Sequence, residues 1–137
     1  LVTIAIRAMT EDVRDIFTAN SCIDYLGNAL CQLCQKEIPS MYYQDQEGQL
    51  RLIIKQITFH GLVDSAFNQI RQFSKDIPSI IIHLLETIAA IIPFTQTDKQ
   101  RDVFKKHALM IKRIGDQIPD PEDLKDMQER FNRILKE

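Results

Sequence analysis

Ser79-Ile80-Ile81-Ile82-His83-Leu84-Leu85-Glu86-Thr87-Ile88-Ala89-Ala90-Ile91-Ile92 is apolar almost all round, with titratable side chains only at His83 and Glu86. A helix that is apolar on every side has to be buried, either at the centre of a bundle or in a membrane. Crossing a bilayer takes roughly 20 apolar residues, and Pro93 ends this run sooner. The stretch therefore predicts the central core helix of a helical bundle. It opens at Asp76-Ile77-Pro78, with Pro78 near the first turn, where its missing N–H is no loss.

The flanking segments carry one-sided stripes, as helices around such a core must. From about Asp15 to Lys36, the residues Ile16, Ala19, Ile23, Leu26, Leu30 and Leu33 recur at three- and four-residue spacing. Gly27 lies inside that helix, where it suits a close helix contact, and Pro39 stops it. A helix over about Phe59 to Ser74, capped by Thr58, turns Phe59, Leu62, Val63, Ala66, Phe67, Ile70 and Phe73 to one side. Thr97-Asp98 opens another that reaches Gly115, with Val103, His107, Met110, Ile111 and Ile114 as its stripe. Pro119-Asp120-Pro121 breaks the chain, and a last helix from Glu122 to about Leu135 points Leu124, Met127, Phe131 and Ile134 inward. Val2 to Met9 reads as the tail of a helix that begins upstream, followed by turn and capping chemistry in Thr10-Glu11-Asp12. Between Met41 and Lys55, two β-prone runs flank Asp45-Gln46-Glu47-Gly48, which predicts a small hairpin. The expected fold is all-α, a single-domain bundle of five to six helices over residues 1–137 with one small β-hairpin insert.

Bulk properties narrow the function. With 137 residues, 45% hydrophobic and 26% charged, the chain can bury a core without disulfides or metals. A net charge of −2 and no basic stripe argue against nucleic acid. The densest basic stretch, Lys105, Lys106, His107, Lys112 and Arg113, has Asp102 and Asp116 beside it and reads as a solvated helix face. Three cysteines, Cys22, Cys31 and Cys34, fall in one helix, which is no secreted disulfide framework. The start carries no signal-peptide pattern. It opens at Leu1 in an apolar segment, and the reading expects further sequence upstream.

No motif carries chemistry. Cys31-x-x-Cys34 lacks a second ligand pair and sits deep in its helix, away from the N-terminal dipole that would lower a thiol pKa, so it reads as core. His83-x-x-Glu86 has none of the spacings of a metal helix. There is no G-x-S-x-G, phosphate loop or dinucleotide fingerprint, and Gly27, Gly48, Gly61 and Gly115 are scattered. Catalytic residues, metal and cofactor are accordingly expected to be none. Two polar clusters stand out: Arg7 with Asp12, Arg14, Asp15, Thr18 and Asn20, and Asp64 with Asn68, Gln69 and Arg71. Capping and surface pairing account for both. The functional alternative is a polar pocket formed by Arg7, Asp15, Thr18, Asp24 and Asp64, with Gln69 and Arg71 as further ligand contacts.

Several segments together resemble a large bacterial family of predicted membrane proteins of unknown function. Leu1-Val2-x-Ile4-Ala5-x-Arg7-Ala8-Met9-Thr10, then Asp15-x-Phe17-Thr18-Ala19, is similar to that family's L-V-D-I-A-L-R-A-L-S-P-x-x-N-D-P-x-T-A. Cys22-Ile23-Asp24-x-Leu26-Gly27 and Leu62-Val63-Asp64-x-Ala66-Phe67-x-Gln69-Ile70-Arg71-Gln72 extend the resemblance, which runs to about Pro93. Arg14-Asp15-Ile16 departs from the family's Asn-Asp-Pro, and Thr10-Glu11 from its Ser-Pro. The resemblance implies a membrane-spanning half upstream, in the bacterial inner membrane, with this part as a C-terminal domain on the cytoplasmic side. The implied partners are that half and, in a homo-oligomer, a second copy, with no small molecule identified. The implied role is assembly, interaction or regulation, with a solute-sensing or gating domain of a transporter as the rival.

Overall fold

A computed structural model describes residues 1–10, 15–37, 42–44, 46–53 and 57–137. Six α-helices are present among the described residues: α1 (Val2–Thr10), α2 (Ile16–Cys34), α3 (Phe59–Phe73), α4 (Pro78–Ile91), α5 (Asp98–Gly115) and α6 (Pro121–Lys136). A short 3₁₀ turn, Ile92–Phe94, follows α4 where Pro93 cannot continue the helix. Between α2 and α3 run two short strands, β1 (Tyr42–Gln44) and β2 (Leu50–Ile53), paired antiparallel with a register irregularity at Tyr43/Gln44. A pair of three- and four-residue strands adds no layer to the core, and the fold class is all-α. Glu11, Asp12, Arg14, Pro39 and Asp45, on which parts of the turn, cluster and hairpin reading rest, lie outside the described residues.

Five of the helices, α4 among them, close a ring. In it α1 packs on α2, α2 on α4, α4 on α5, α5 on α3, and α3 back on α1. α6 lies outside the ring against α4 and α5. The central position of α4 follows from its sequence: Ile80, Ile81, Leu84, Leu85 and Ile88 expose no surface, and neighbours approach from three helices. Each such residue removed from water contributes about 1.5–3 kcal/mol.

The stripes hold with informative exceptions. On α2, Ala19, Ile23 and Leu30 are buried as expected, and so are Cys22, Gly27 and Cys34, because α2 meets α1 on one side and α4 on the other. On α3, Phe73 is half exposed at the end of the helix, although Ile70 in the same last turn is fully buried. On α5, the residue that anchors the core is Phe104, fully buried and edge-to-face with Phe59 at 5.8 Å between ring centroids. Val103, expected in its place, is only partly buried, one step around the helix.

Most helix starts are specified by a capping side chain. The Thr58 hydroxyl accepts from Gly61 N–H at 3.0 Å, Thr97 from Gln100 N–H at 3.2 Å, and Asp120 from Glu122 and Asp123 N–H at 2.9 and 3.2 Å. These bonds satisfy donors that the first helical turn leaves unpaired. Thr58→Ala and Asp120→Ala should each lower unfolding free energy by about 1 kcal/mol in urea titrations. Unchanged midpoints would show that water serves these donors equally well.

Candidate functional site

Two carboxylate–imidazole pairs bridge helices that are remote in sequence. The first joins α3 to α5. Asp64 Oδ1 accepts from His107 Nε2 at 2.7 Å, across 43 residues of chain, and Asp64 Oδ2 lies 3.0 Å from His60 Nε2 one helical turn away. Lys106 Nζ stands 3.5 Å from the same His60 nitrogen. The His107 side chain exposes no surface, lies 5.8 Å from the Phe67 ring centroid to centroid, and leaves Nδ1 buried without a partner. Burial holds His107 below the ordinary imidazole value of 6.5, against the opposing pull of the Asp64 carboxylate. His107 is therefore a neutral imidazole that donates from Nε2; it holds the buried place that the α5 stripe gave it, not the solvated face read for the basic stretch around it. The mixed character of that stretch explains the correction: Lys106 and Arg113 face water while His107 shares the buried stripe of Phe104, Ala108 and Ile111.

The second pair joins α2 to α4. Asp24 Oδ1 lies 2.7 Å from His83 Nε2, while Glu86 Oε2 is 3.7 Å from the other ring nitrogen. His83 interrupts the apolar run of α4 because this edge of the helix meets α2 and solvent together, with about a quarter of its side chain exposed (23%). Thr87 turns its hydroxyl back to His83 O at 2.9 Å and lies against Gly27.

The carboxylates among the candidate ligand residues each have local partners. Asp15 caps α2, accepting from the backbone N–H and the hydroxyl of Thr18, and these two bonds lower its pKa. Asp24 pairs with His83, and Asp64 with His60 and His107. Arg7 is exposed on α1. Each carboxylate is thus engaged by its own neighbour. Asp64 and Gln69 do share a surface: with Val2, Thr3, Ser65 and Asn68 they line an open cleft of about 410 Å³. Arg71 reaches Asn68 Oδ1 at 3.4 Å, which ties it to the same cleft. His60 and His107 are the members that sequence reasoning left out of this cluster. The i,i+4 spacing of His60 and Asp64 was a visible signal, whereas the pairing to His107 depends on how α3 meets α5.

Among the described residues, no group of three or more His, Cys, Asp or Glu side chains is placed to hold a metal ion. Burial raises the Cys31 thiol, and burial together with Cys31 pushes Cys34 up to about 11. The thiolate is therefore disfavoured at Cys34, whose side chain is also buried. Maleimide or disulfide reagents should accordingly modify Cys34 at the rate of global unfolding. Rapid modification of the folded protein would contradict its burial.

A third surface feature is apolar. Leu26, Ala29, Leu30 and Leu33 of α2 face Leu62, Ser65 and Ala66 of α3 across a groove of about 390 Å³, with Val2 of α1 at one end.

Comparison with known proteins bears on this architecture. The sequence model of a family described as predicted membrane protein (DUF2254) matches residues 1–90, more than half of the chain. The chain belongs to this family. The DUF2254 match runs from α1 through Ala90 near the end of α4, so it takes in the apolar groove, the Asp24–His83 pair and Asp64, while His107 lies beyond it on α5. No curated protein and no solved structure matches the chain. Among the described residues, no helix is long and apolar enough to cross a membrane.

Proposed function

We propose that this chain is the water-facing helical part of a bacterial inner-membrane protein, placed on the cytoplasmic side. It acts by binding, in the assembly or regulation of its own membrane-spanning half. The observation that supports this reading best is the charged outer surface of a chain from a predicted-membrane-protein family. Asp102, Lys106 and Arg113 on α5, and Lys125, Glu129 and Arg133 on α6, are all exposed. Such faces stay hydrated, because placing an unpaired charge in hydrocarbon costs several kcal/mol. The family description supplies the membrane, and the charged faces favour a position beside it. The absence of any recognisable nucleophile or metal constellation in the sequence makes binding the simpler activity.

The test is fractionation of the full-length product carrying a topology reporter after Glu137. The expected result is sedimentation with membranes, resistance to carbonate extraction and a cytoplasmic reporter signal. Release by carbonate, or a reporter reading the opposite side, overturns the reading.

One observation favours a second function. The cleft beside Asp64, Asn68 and Gln69 presents acceptors and donors on an open surface, and the carboxylate in it is anchored by two histidines. A small polar solute bound there would make the domain a sensor for its membrane half. Binding would stabilise the protein in proportion to ligand concentration over Kd. A thermal-shift screen of polar metabolites should then produce hits that Gln69→Ala removes, and a screen without hits rejects the sensor.

A further inference from the structure

We propose that the hollow between α4 and α6 binds a phosphate ester. Arg130, Arg133 and Lys136 of α6 form its wall, Ala89 and Ala90 of α4 form its floor, and its volume is about 420 Å³. That volume suits a small ligand or a headgroup. Two sources carry the chemistry, the headgroup of an acidic phospholipid and a free phosphorylated metabolite, and the experiment below separates them. The inference goes beyond the membrane reading and rests on it for the first source alone.

The order of charges along α6 prepares the site. Its first half carries Glu122, Asp123, Asp126 and Glu129 against Lys125 alone. From Arg130 to Lys136 it carries Arg130, Arg133 and Lys136 and no acid. The helix macrodipole favours cations at this end, but it does not gather them beside a hollow. Their spacing does. At i, i+3 and i+6 they stand on successive turns of one flank, next to the buried stripe of Met127, Phe131 and Ile134 that seats the helix. On α4 the facing positions are small. Ile80, Ile81, Leu84 and Leu85 are bulky, whereas Ala89 and Ala90 leave the space open.

The cations are available to a ligand. Among the described residues, neither Arg133 nor Lys136 has a carboxylate in ion-pair contact, and both are exposed. Arg130 is mostly buried, with 21% of its side chain exposed. Its Nη1 reaches Asp126 Oδ1 at 3.3 Å and Asp126 O at 3.4 Å, while its Nε is buried without a partner. A buried donor left unpaired is unfavourable, and an acceptor seated in the hollow relieves it through a small turn of the guanidinium. Two carboxylates stand at the rim. Glu86 Oε2 lies 3.7 Å from His83 Nδ1, and Glu137 is exposed to water. The three cations outnumber them, so the hollow keeps a positive balance. Guanidinium forks match the paired oxygens of a phosphate, and lysine adds a point charge. The alanine floor and the alkyl stems of the cations accept the apolar body that an ester carries and a bare anion lacks.

The test uses the full-length protein and the rate at which phenylglyoxal modifies Arg133, read by mass spectrometry against the exposed Arg7 of the same chain. In detergent, glycerol phosphate at about ten times its half-saturating concentration should slow Arg133 about tenfold and leave Arg7 unchanged. In vesicles, phosphatidylglycerol should protect Arg133, and phosphatidylcholine, whose choline cation the basic wall repels, should not. Protection in vesicles alone assigns the phospholipid headgroup, and protection by glycerol phosphate alone assigns a soluble ester. Ala90→Phe fills the hollow from an exposed position and keeps every charge, so it should abolish protection from either source. Lys136→Gln should raise the half-saturating concentration about tenfold, the loss of one charge-assisted bond. An Arg133 equally reactive in every condition, equal protection at Arg7, or protection that survives Ala90→Phe overturns the proposal. Membrane attachment with Arg133 unprotected defeats this inference alone. Carbonate release with protection by glycerol phosphate intact defeats only the membrane reading.

Discussion

Replacing Gly27 with alanine should lower the unfolding free energy by about 1–3 kcal/mol, the range for overpacking a tight contact. In an isolated helix the same change would help, since alanine is favoured over glycine by about 1 kcal/mol. Here the sign is reversed by Thr87. A Cβ on residue 27 would stand 2.6 Å from Thr87 Cγ2, well inside contact distance. Thr87 cannot easily yield. Its β-branched side chain is stiff at χ1, and its hydroxyl is bound to His83 O at 2.9 Å. Thr87→Ser removes the offending methyl group and keeps that bond. In the Gly27→Ala background it should therefore recover most of the loss, with a coupling energy of about 1–2 kcal/mol in a double-mutant cycle. Gly115→Ala should act in the same direction, because its added Cβ meets Met127 Cγ, Sδ and Cε at 2.9–3.1 Å and Met127 is fully buried. Strictly additive effects at 27 and 87, measured by urea unfolding, would mean that α2 and α4 do not approach as closely as described.

Asp64→Ala should cost a comparable amount, about 1–3 kcal/mol at pH 7, through a different term. The loss leaves the Nε2–H of a fully buried imidazole without an acceptor, beside an Nδ1 that already has none. Acid should expose the same site. Burial lowers the pKa of His107 in the folded protein, with the Lys106 and Arg71 charges adding to the effect. Between that lowered value and 6.5 the unfolded chain binds more protons than the folded one, so stability rises with pH there. The contribution is complete above about 6.5 and is lost as pH falls toward the folded value. His107→Leu should flatten this part of the stability–pH curve. Asp64→Asn, which keeps an oxygen acceptor and removes the charge that favours protonation, should extend the acid loss to lower pH. A His107→Leu variant with an unchanged acid limb would place the responsible proton elsewhere.

The residues that sequence reading placed correctly share a property. Their roles follow from neighbours within one or two helical turns. Thr58, Thr97 and Pro78 mark helix starts because capping and proline geometry act over three or four residues. Ile80, Leu84 and Ile88 are core because a helix apolar all round has no side to give to water. Where the reading slipped, the deciding neighbour was distant. Phe104 displaced Val103 as the anchor of α5 because Phe59, 45 positions earlier, supplies its ring partner. His107, read both with the basic stretch and with the apolar stripe of its helix, lies in the stripe, and only the packing of α3 shows Asp64 as its partner.

By itself, the sequence determined that this protein is a helical bundle, where most of its helices begin and end, that α4 lies at the centre, and that its relatives are predicted membrane proteins. Each of these is carried by a local pattern: a 3.6-residue period, a capping side chain, a run of matched positions. Tertiary structure alone decided that Asp24 meets His83 and Asp64 meets His107, that Gly27 admits Thr87, and that residues of α2 and α3 line an apolar groove. Those facts depend on how far each helix is rotated about its axis and slid along its neighbour. Periodicity defines the buried face of a helix but not the axial offset at which two such faces engage, so these contacts become visible only once the helices are packed.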